Sequence, residues 1–152
     1  MKGLFISFEG PDGTGKTTQI KRVAEALRAQ GYEVIESREP GGTVMAEKVR
    51  SIVLDPNFPI NNITEVLLFS AARSEHVEKV IAPALEAGKI VLCDRFSDST
   101  LVYQGLTRGL KLDELGELRQ LINFSSNGLM PDMTVLLDGR PEVLAIRRDA
   151  RG

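Results

Sequence analysis

Soft metal ligands, disulfide partners and membrane-length apolar runs are what this chain lacks. Its 152 residues include one cysteine, one histidine and no tryptophan. The single Cys93 excludes an intrachain disulfide and fits a reducing compartment, so a cytoplasmic location is expected. One Cys beside one His also leaves too few soft ligands for a structural zinc site. No apolar stretch approaches the roughly 20 residues that span a bilayer. The N-terminus carries no charged head followed by an apolar segment, as a secretory signal would, and no membrane partner is expected. An excess of positive charge is missing as well: 19 Lys and Arg stand against 21 Asp and Glu, for a net charge of −2. A dedicated nucleic-acid binder needs cations to neutralise phosphates, so no nucleic-acid partner is expected. Repeats, low-complexity tracts and blocks of like charge are absent too. What remains is 42% apolar and 26% charged residues, the balance of one globular domain with a core of its own.

The apolar pattern alternates between strand and helix. Leu4 to Glu9 is a short apolar run that stops at Gly10, as a buried strand would. From Thr17 to Gln30, Ile20, Val23, Ala24 and Leu27 recur at helical spacing, and Gly31 ends the pattern. Glu33 to Ser37 reads as a second strand, and a helix from about Val44 to Leu54 stops at Asp55-Pro56. A long helical stretch from about Asn62 to Ala87 should be kinked or split by Pro83. Ile90 to Cys93 is a third strand ending on Asp94. Leu115, Leu118, Leu121 and Ile122 mark a further helix, Pro131-Asp132 introduces a strand over Thr134 to Leu137, and Glu142 to Arg148 begins one more helix. Such alternation implies right-handed crossovers and a parallel sheet covered on both faces. A sheet closing on Thr134 to Leu137 leaves an apolar edge, which natural proteins avoid. The expectation is therefore that the native protein continues past Gly152 with a last strand and helices.

Gly10-Pro11-Asp12-Gly13-Thr14-Gly15-Lys16-Thr17 satisfies G-x-x-x-x-G-K-[ST] in full, after a predicted strand and before a predicted helix. Glycines in such a loop let successive N–H groups turn inward around a phosphate, and the helix N-terminus, continuing into Thr18, adds partial positive charge. Lys16 can then reach the β- and γ-phosphates, and the Thr17 hydroxyl can ligate Mg²⁺. Asp94 ends the third strand, at the edge where a parallel sheet opens its ligand crevice, so it is a second Mg²⁺ candidate; a helix-capping or turn role is the alternative. Arg95 beside it is placed to meet bound phosphate.

Further signals cluster at the same edge. Arg38-Glu39-Pro40-Gly41-Gly42-Thr43 follows the second strand, and Asp94 to Gly105 is dense in polar groups for a segment leaving a buried strand. Phe69 and Arg73 stand four apart, hence on one helical face. Together they can stack on a base and hydrogen-bond its edge. By spacing alone, a core Phe and a solvated Arg is the favoured alternative. His76 reads as solvated or capping, since no partner is visible, and Cys93 as an inert core thiol.

Taken in order along the chain, these segments resemble bacterial thymidylate kinases. The matching pieces are Phe8-Glu9-Gly10 into the P-loop, Arg38 to Thr43, Ala46 to Arg50, Thr64-Glu65, Leu68-Phe69, Ala72-Arg73, Asp94-Arg95-Phe96 through Tyr103-Gln104-Gly105, and Pro131-Asp132. The resemblance implies a P-loop NTPase three-layer α/β sandwich with a parallel central sheet flanked by helices, one kinase domain over 1–152. It implies ATP and Mg²⁺ as cofactors, dTMP as acceptor and a homodimer. Phe69 would stack on thymine, Arg73 would hydrogen-bond its edge and Gln104 would complete base recognition. Arg50 and Arg95 would hold the acceptor phosphate, and Tyr103 would lie under the deoxyribose. Asp12 would sit near the sugar and acceptor, and Glu39 and Thr100 would be further contacts. Gly13 looks like the bacterial arrangement in which the catalytic arginines come from a mobile lid, beginning near 147–152 with Arg147 and Arg151; a solvated helix face is the alternative for that basic end. Gly139-Arg140 is a looser match. Two other functions fit a P-loop: a deoxynucleoside kinase, which would need a base for an uncharged hydroxyl, and a nucleotide-binding module that turns over poorly.

Overall fold

Leu4–Glu9 forms strand β1, whose side chains alternate between two buried faces. A computed structural model of the protein describes residues 3–109 and 111–149. In chain order, β1 is followed by α1 (Lys16–Ala29), β2 (Val34–Arg38), α2 (Val44–Val53) and α3 (Asn62–His76). A π-helical turn (Val77–Ile81) runs into α4 (Ala82–Glu86), then β3 (Ile90–Asp94) and the short α5 (Ser97–Thr100). A second π-helical segment (Leu101–Gly105) and a 3₁₀ turn (Leu106–Arg108) lead to α6 (Leu112–Ser125), β4 (Met133–Leu136) and α7 (Pro141–Asp149).

The four strands are all parallel, in the order β2-β3-β1-β4. Ile6 and Phe8 of β1 join Ile90 and Leu92 of β3 on one face, where Ile20 and Ala24 of α1 cover them. Phe5, Val91 and Cys93 face the other way and pack on Val77, Ile81, Ala84 and Leu85. A third cluster ties α2 to α3 through Ala46, Val49 and Ala72. Helices on both faces are what an all-parallel sheet requires, and the layers are those the alternation predicts. β4 lies at one edge, with Met133 and Leu136 exposed. Asp132 anchors its entry: its carboxylate accepts from the Phe5 N–H at 2.8 Å, and its own N–H donates to the Phe5 carbonyl at 2.8 Å.

The helices begin where side chains cap them. Thr43 Oγ1 accepts from the Ala46 N–H at the start of α2, and Asn61 Oδ1 from the Thr64 N–H at the start of α3. The stretch predicted as one long helix, kinked or split by Pro83, is helical from Asn62 to Glu86, with a π-helical widening just before the proline. Ala82 donates to the Val77 carbonyl five residues back, just before the proline that has no N–H to give. His76 differs from its expected place. It is fully buried at the end of α3 and hydrogen-bonded on both ring nitrogens, because Ser37 and Glu39 reach it from the neighbouring β2 strand and its loop. The segment after β3, expected only as a polar stretch, is helical throughout, changing from α to π to 3₁₀ within twelve residues, 97–108.

Candidate active site

The P-loop leaves β1 at Gly10 and enters α1 at Lys16, so its position is fixed by the central strand and the helix covering it. Two of its glycines are required by packing. A Cβ on Gly10 (φ +135°) would collide with the Leu137 carbonyl, and one on Gly13 (φ +89°) would sit 3.0 Å from the Leu144 carbonyl and 3.5 Å from the Arg147 Cβ. Gly13 thus allows α7 to lie against the loop, which brings the predicted Arg147 next to it. Arg151 lies outside the described residues.

Lys16 is buried, and its ammonium donates to the carbonyls of Gly10 (2.9 Å) and Pro11 (3.0 Å), with Asp12 Oδ1 at 3.9 Å. Burial, then the nearby Arg95 charge, pushes its pKa down. Thr14 Oγ1 donates to the Pro11 carbonyl at 2.9 Å and stiffens the loop, while Thr18 stands exposed in the first turn of α1. The Thr17 hydroxyl donates to Asp94 Oδ2 at 2.8 Å, so the two residues predicted to hold a metal are in contact across α1 and β3. A hydroxyl and a carboxylate are hard oxygen donors that suit Mg²⁺, which takes few protein ligands and completes its shell with phosphates and water. Among the described residues no group of three or more His, Cys, Asp or Glu could hold a metal by itself.

Arg95 is the hinge of the site. It has φ +72°, a left-handed conformation rare for a residue with a Cβ. Its Nη2 donates to Asp12 Oδ1 at 2.7 Å, its Nη1 donates to Ser99 Oγ at 3.0 Å, and its guanidinium lies 5.1 Å from the Tyr103 ring centroid. Ser99 in turn donates to Glu9 Oε2 at 2.6 Å, and Glu9 Oε1 accepts from the Phe96 N–H at 2.8 Å. Burial raises the Glu9 pKa, an effect these two hydrogen bonds oppose.

The base-binding candidates fall at the other end. Arg73 is 1% exposed, so the solvated role that spacing favours is overturned. Nε donates to Glu39 Oε2 at 2.9 Å, and Nη2 donates to Thr100 Oγ1 at 2.8 Å and to the Phe96 carbonyl at 3.3 Å. The guanidinium also lies 5.1 Å from the Phe96 ring centroid. Its Nη1 is buried without a protein partner among the described residues. Gln104 donates to Glu65 Oε1 at 2.8 Å, and Glu65, Phe69 and Arg73 stand at successive i, i+4 positions of α3. Arg50, half-buried, donates to the Pro40 carbonyl at 3.0 Å. Burial, with Arg38 nearby, lowers its pKa.

Two cavities divide these residues. One, of about 500 Å³, is lined by the P-loop, Asp94 and the end of β2. The other, of about 450 Å³, takes in all eight residues expected to bind the acceptor: Glu39, Arg50, Phe69, Arg73, Arg95, Thr100, Tyr103 and Gln104. Asp12, Arg50 and Arg95 line both and mark the junction. Glu39 borders both too, yet its oxygens are occupied by Arg73 and His76, so its effect on a ligand passes through Arg73. The sequence by itself does not single out Glu9, Glu65, Ser99 or His76 as site residues. The i, i+4 stripe on α3 is the signal that marks Glu65; Glu9, Ser99 and His76 act through partners distant in sequence.

Comparison with known proteins points to one family. Residues 8–152 match the family model for thymidylate kinase. The thymidylate kinase of Deinococcus radiodurans is 51% identical over 150 residues, covering 99% of this chain and 71% of the relative. That of Thermoanaerobacter sp. strain X514 is 50% identical over 151 residues, covering 99% of this chain and 73% of the relative. The crystal structure of thymidylate kinase from Ehrlichia chaffeensis superposes with a TM-score of 0.83 at 39% identity, covering 99% of this chain and 85% of the other. With a family model matching residues 8–152, relatives about half identical across nearly the whole chain and a matching fold, this chain belongs to the thymidylate kinase family.

Proposed function

We propose that the chain transfers the γ-phosphoryl group of ATP to the 5′-phosphate of dTMP, giving dTDP and ADP, with the roles of its residues set by the two cavities. The observation that carries this is the junction: Asp12, Arg50 and Arg95 line both cavities, so a donor phosphate in one and an acceptor phosphate in the other meet beside two guanidiniums. An acceptor phosphate is already anionic, so the step needs alignment and charge neutralisation more than a strong base.

In this reading the P-loop cradles the donor, and Lys16 follows charge onto the transferred group. Arg50 and Arg95 hold the acceptor phosphate in line and offset repulsion between two anions as they close. Asp12 fixes Arg95 at 2.7 Å, and Tyr103 supports the same guanidinium from its ring face while lying under the sugar. Phe69 stacks on the thymine, and Arg73 Nη1 and Gln104 meet its edge. Thr17 and Asp94 would hold Mg²⁺, which supplies charge neutralisation to the donor phosphates when bound. Arg147 on α7, with Arg151, belongs to a lid that excludes water over the loop. The 1–152 stretch acts as one kinase domain. The family resemblance supports a homodimer working in the cytoplasm, and exposed Ile52, Ile63 and Leu67 on α2 and α3 offer apolar surface for a second copy. No described helix is long and apolar enough to cross a membrane.

Steady-state phosphoryl transfer with dTMP, dCMP, dUMP and thymidine tests the proposal. The expected order places dTMP first by kcat/KM, because polar groups built for one base edge are left unpaired by another. Equal use of dTMP and dCMP would remove the base assignment, and preference for thymidine would replace the reaction with a nucleoside kinase's.

A further inference from the structure

Behind the acceptor cavity runs a hydrogen-bonded chain that the phosphoryl-transfer scheme leaves unused. His76 is 0% exposed. Its Nδ1 lies 3.1 Å from Glu39 Oε1, and its Nε2 lies 2.6 Å from Ser37 Oγ. A carboxylate only accepts, so Nδ1 donates to Glu39, while Nε2 shares its hydrogen bond with the Ser37 hydroxyl. Gly42 closes over the ring, since a Cβ there would stand 2.5 Å from His76 Cδ2. The imidazole is thus clamped between β2, the loop after it and α3.

The consequence lies in how Glu39 meets Arg73. A carboxylate beside a guanidinium ordinarily takes two parallel hydrogen bonds, here Nε with Nη2. Glu39 gives Arg73 one oxygen only, Oε2 to Nε at 2.9 Å, because Oε1 is held by His76. Nη2 is therefore left to Thr100 and the Phe96 carbonyl, which pin the guanidinium plane from the far side. With Nε and Nη2 both committed, Nη1 is the donor that remains. Without the imidazole, Glu39 would swing into the two-bond pairing, draw Nη2 from Thr100 and turn the plane.

We propose that His76, oriented by Ser37, is a positioning residue that keeps Glu39 single-handed on Arg73 and so fixes the direction of Arg73 Nη1 at the base end of the acceptor cavity. The inference rests on the reading above that this cavity holds dTMP with Arg73 at the base. It makes base selectivity depend on His76, which lines neither cavity, and on Ser37, which borders only the donor cavity and not the acceptor one.

Two substitutions separate the ring nitrogens. In His76→Asn the amide stands where Nδ1 was and donates to Glu39; in His76→Gln it reaches the position of Nε2 and Ser37, abandoning Glu39. Steady-state kinetics with dTMP and dCMP should show His76→Gln raising KM for dTMP about tenfold and cutting the dTMP-over-dCMP ratio of kcat/KM by a similar factor, the size of one charged hydrogen bond weakened. Saturating kcat and KM for ATP should stay near wild type, and His76→Asn should recover most of the ratio. Ser37→Ala should move the ratio the same way about two- to threefold, and it carries the test if the His76 variants do not fold. Arg73→Ala is the control: an unchanged ratio there refutes the placement of Arg73 at the base, whatever His76 does. If Arg73→Ala loses the ratio while His76→Gln and Ser37→Ala keep it, His76 does not position Arg73. Equal impairment by Asn and Gln, or a joint fall in kcat, ATP affinity and melting temperature with the ratio intact, would likewise overturn the inference.

Discussion

At the proposed donor end, the candidate phosphate-binding groups come from eight consecutive residues, Gly10 to Thr17, held between β1 and α1. At the proposed acceptor end the candidate ligands come from the loop after β2, from α2 and α3 and from the segment after β3, and those meant for the base depend on a buried network of side chains. One end is a stretch of main chain with a lysine at its close, and its conformation is local. The other exists only once Glu39 and Arg73, 34 residues apart, have paired in the interior. Substitutions at the donor end should therefore strike the chemical step and leave the fold intact, whereas those at the acceptor end should strike recognition and stability together.

The sharpest way to break that contrast is Lys16→Ala. Its expected effect is a loss in kcat of about a hundred- to a thousandfold, as for a removed transition-state charge contact. Equilibrium binding of dTMP, measured by titration calorimetry, should change little, and near-normal turnover would show that the loop does not handle the transferred group. Next in size is the pair Arg73→Ala and Arg95→Ala. Losing Arg73 should weaken dTMP binding by roughly ten- to a hundredfold, the range for hydrogen bonds to charged groups, blur thymine against cytosine, and lower the melting temperature because Glu39 is left buried and underpaired. Arg95→Ala should lower kcat and raise KM without touching base choice. A change of base choice in Arg95→Ala with kcat preserved would reverse the orientation of the acceptor.

Asp94→Asn sharpens the donor end further. If Asp94 and Thr17 hold Mg²⁺, the concentration of Mg²⁺ giving half-maximal rate should rise about tenfold, the lower range for weakening a metal's surroundings, and high Mg²⁺ should restore much of the rate. An unshifted Mg²⁺ dependence would take Asp94 out of the metal site. The smallest effect concerns Glu9, which supports the junction from below. Its carboxyl keeps a proton to higher pH in the folded chain than its ordinary 4.5. The stability linked to that proton is fully present below 4.5 and is lost as pH rises through the folded value. Wild-type protein should accordingly lose ground to Glu9→Gln in melting temperature as pH is raised from about 4 toward neutrality. A difference that stays constant, or widens in favour of wild type, would mean that Glu9 is not proton-linked to folding.

The same contrast explains what could be foreseen from the residues. Strand and helix positions followed from apolar runs bounded by Gly and Pro, and β1 and α2 fall within a residue of their expected limits. The P-loop announced itself because its chemistry is contiguous. Arg73 and His76, by contrast, look like solvent-facing residues on a helix, since nothing near them in sequence offers a partner. Their burial is decided by Ser37 and Glu39 arriving from β2 and its loop. Spacing alone pairs Phe69 with Arg73 as candidates for a base, whereas Glu39 and Gln104 join them only through the resemblance, because no local pattern links residues 39, 69 and 104. The π-helical turn at Leu101–Gly105, which carries Tyr103 and Gln104, has no sequence code comparable to a cap or a glycine stop.

Arg95 holds a backbone conformation that glycine or asparagine would adopt more readily, at φ +72°, and left-handed strain of that kind costs about 1 kcal/mol or more. The position therefore sets two selections against each other. A library sorted only for resistance to heat would be drawn to Arg95→Gly or Arg95→Asn, and it would discard the guanidinium that both cavities share. A library sorted for phosphorylation of dTMP would refuse the same exchanges. Thermostabilisation of this enzyme accordingly needs residue 95 withheld from randomisation, and the relief must be sought where the backbone is not already bent to the reaction.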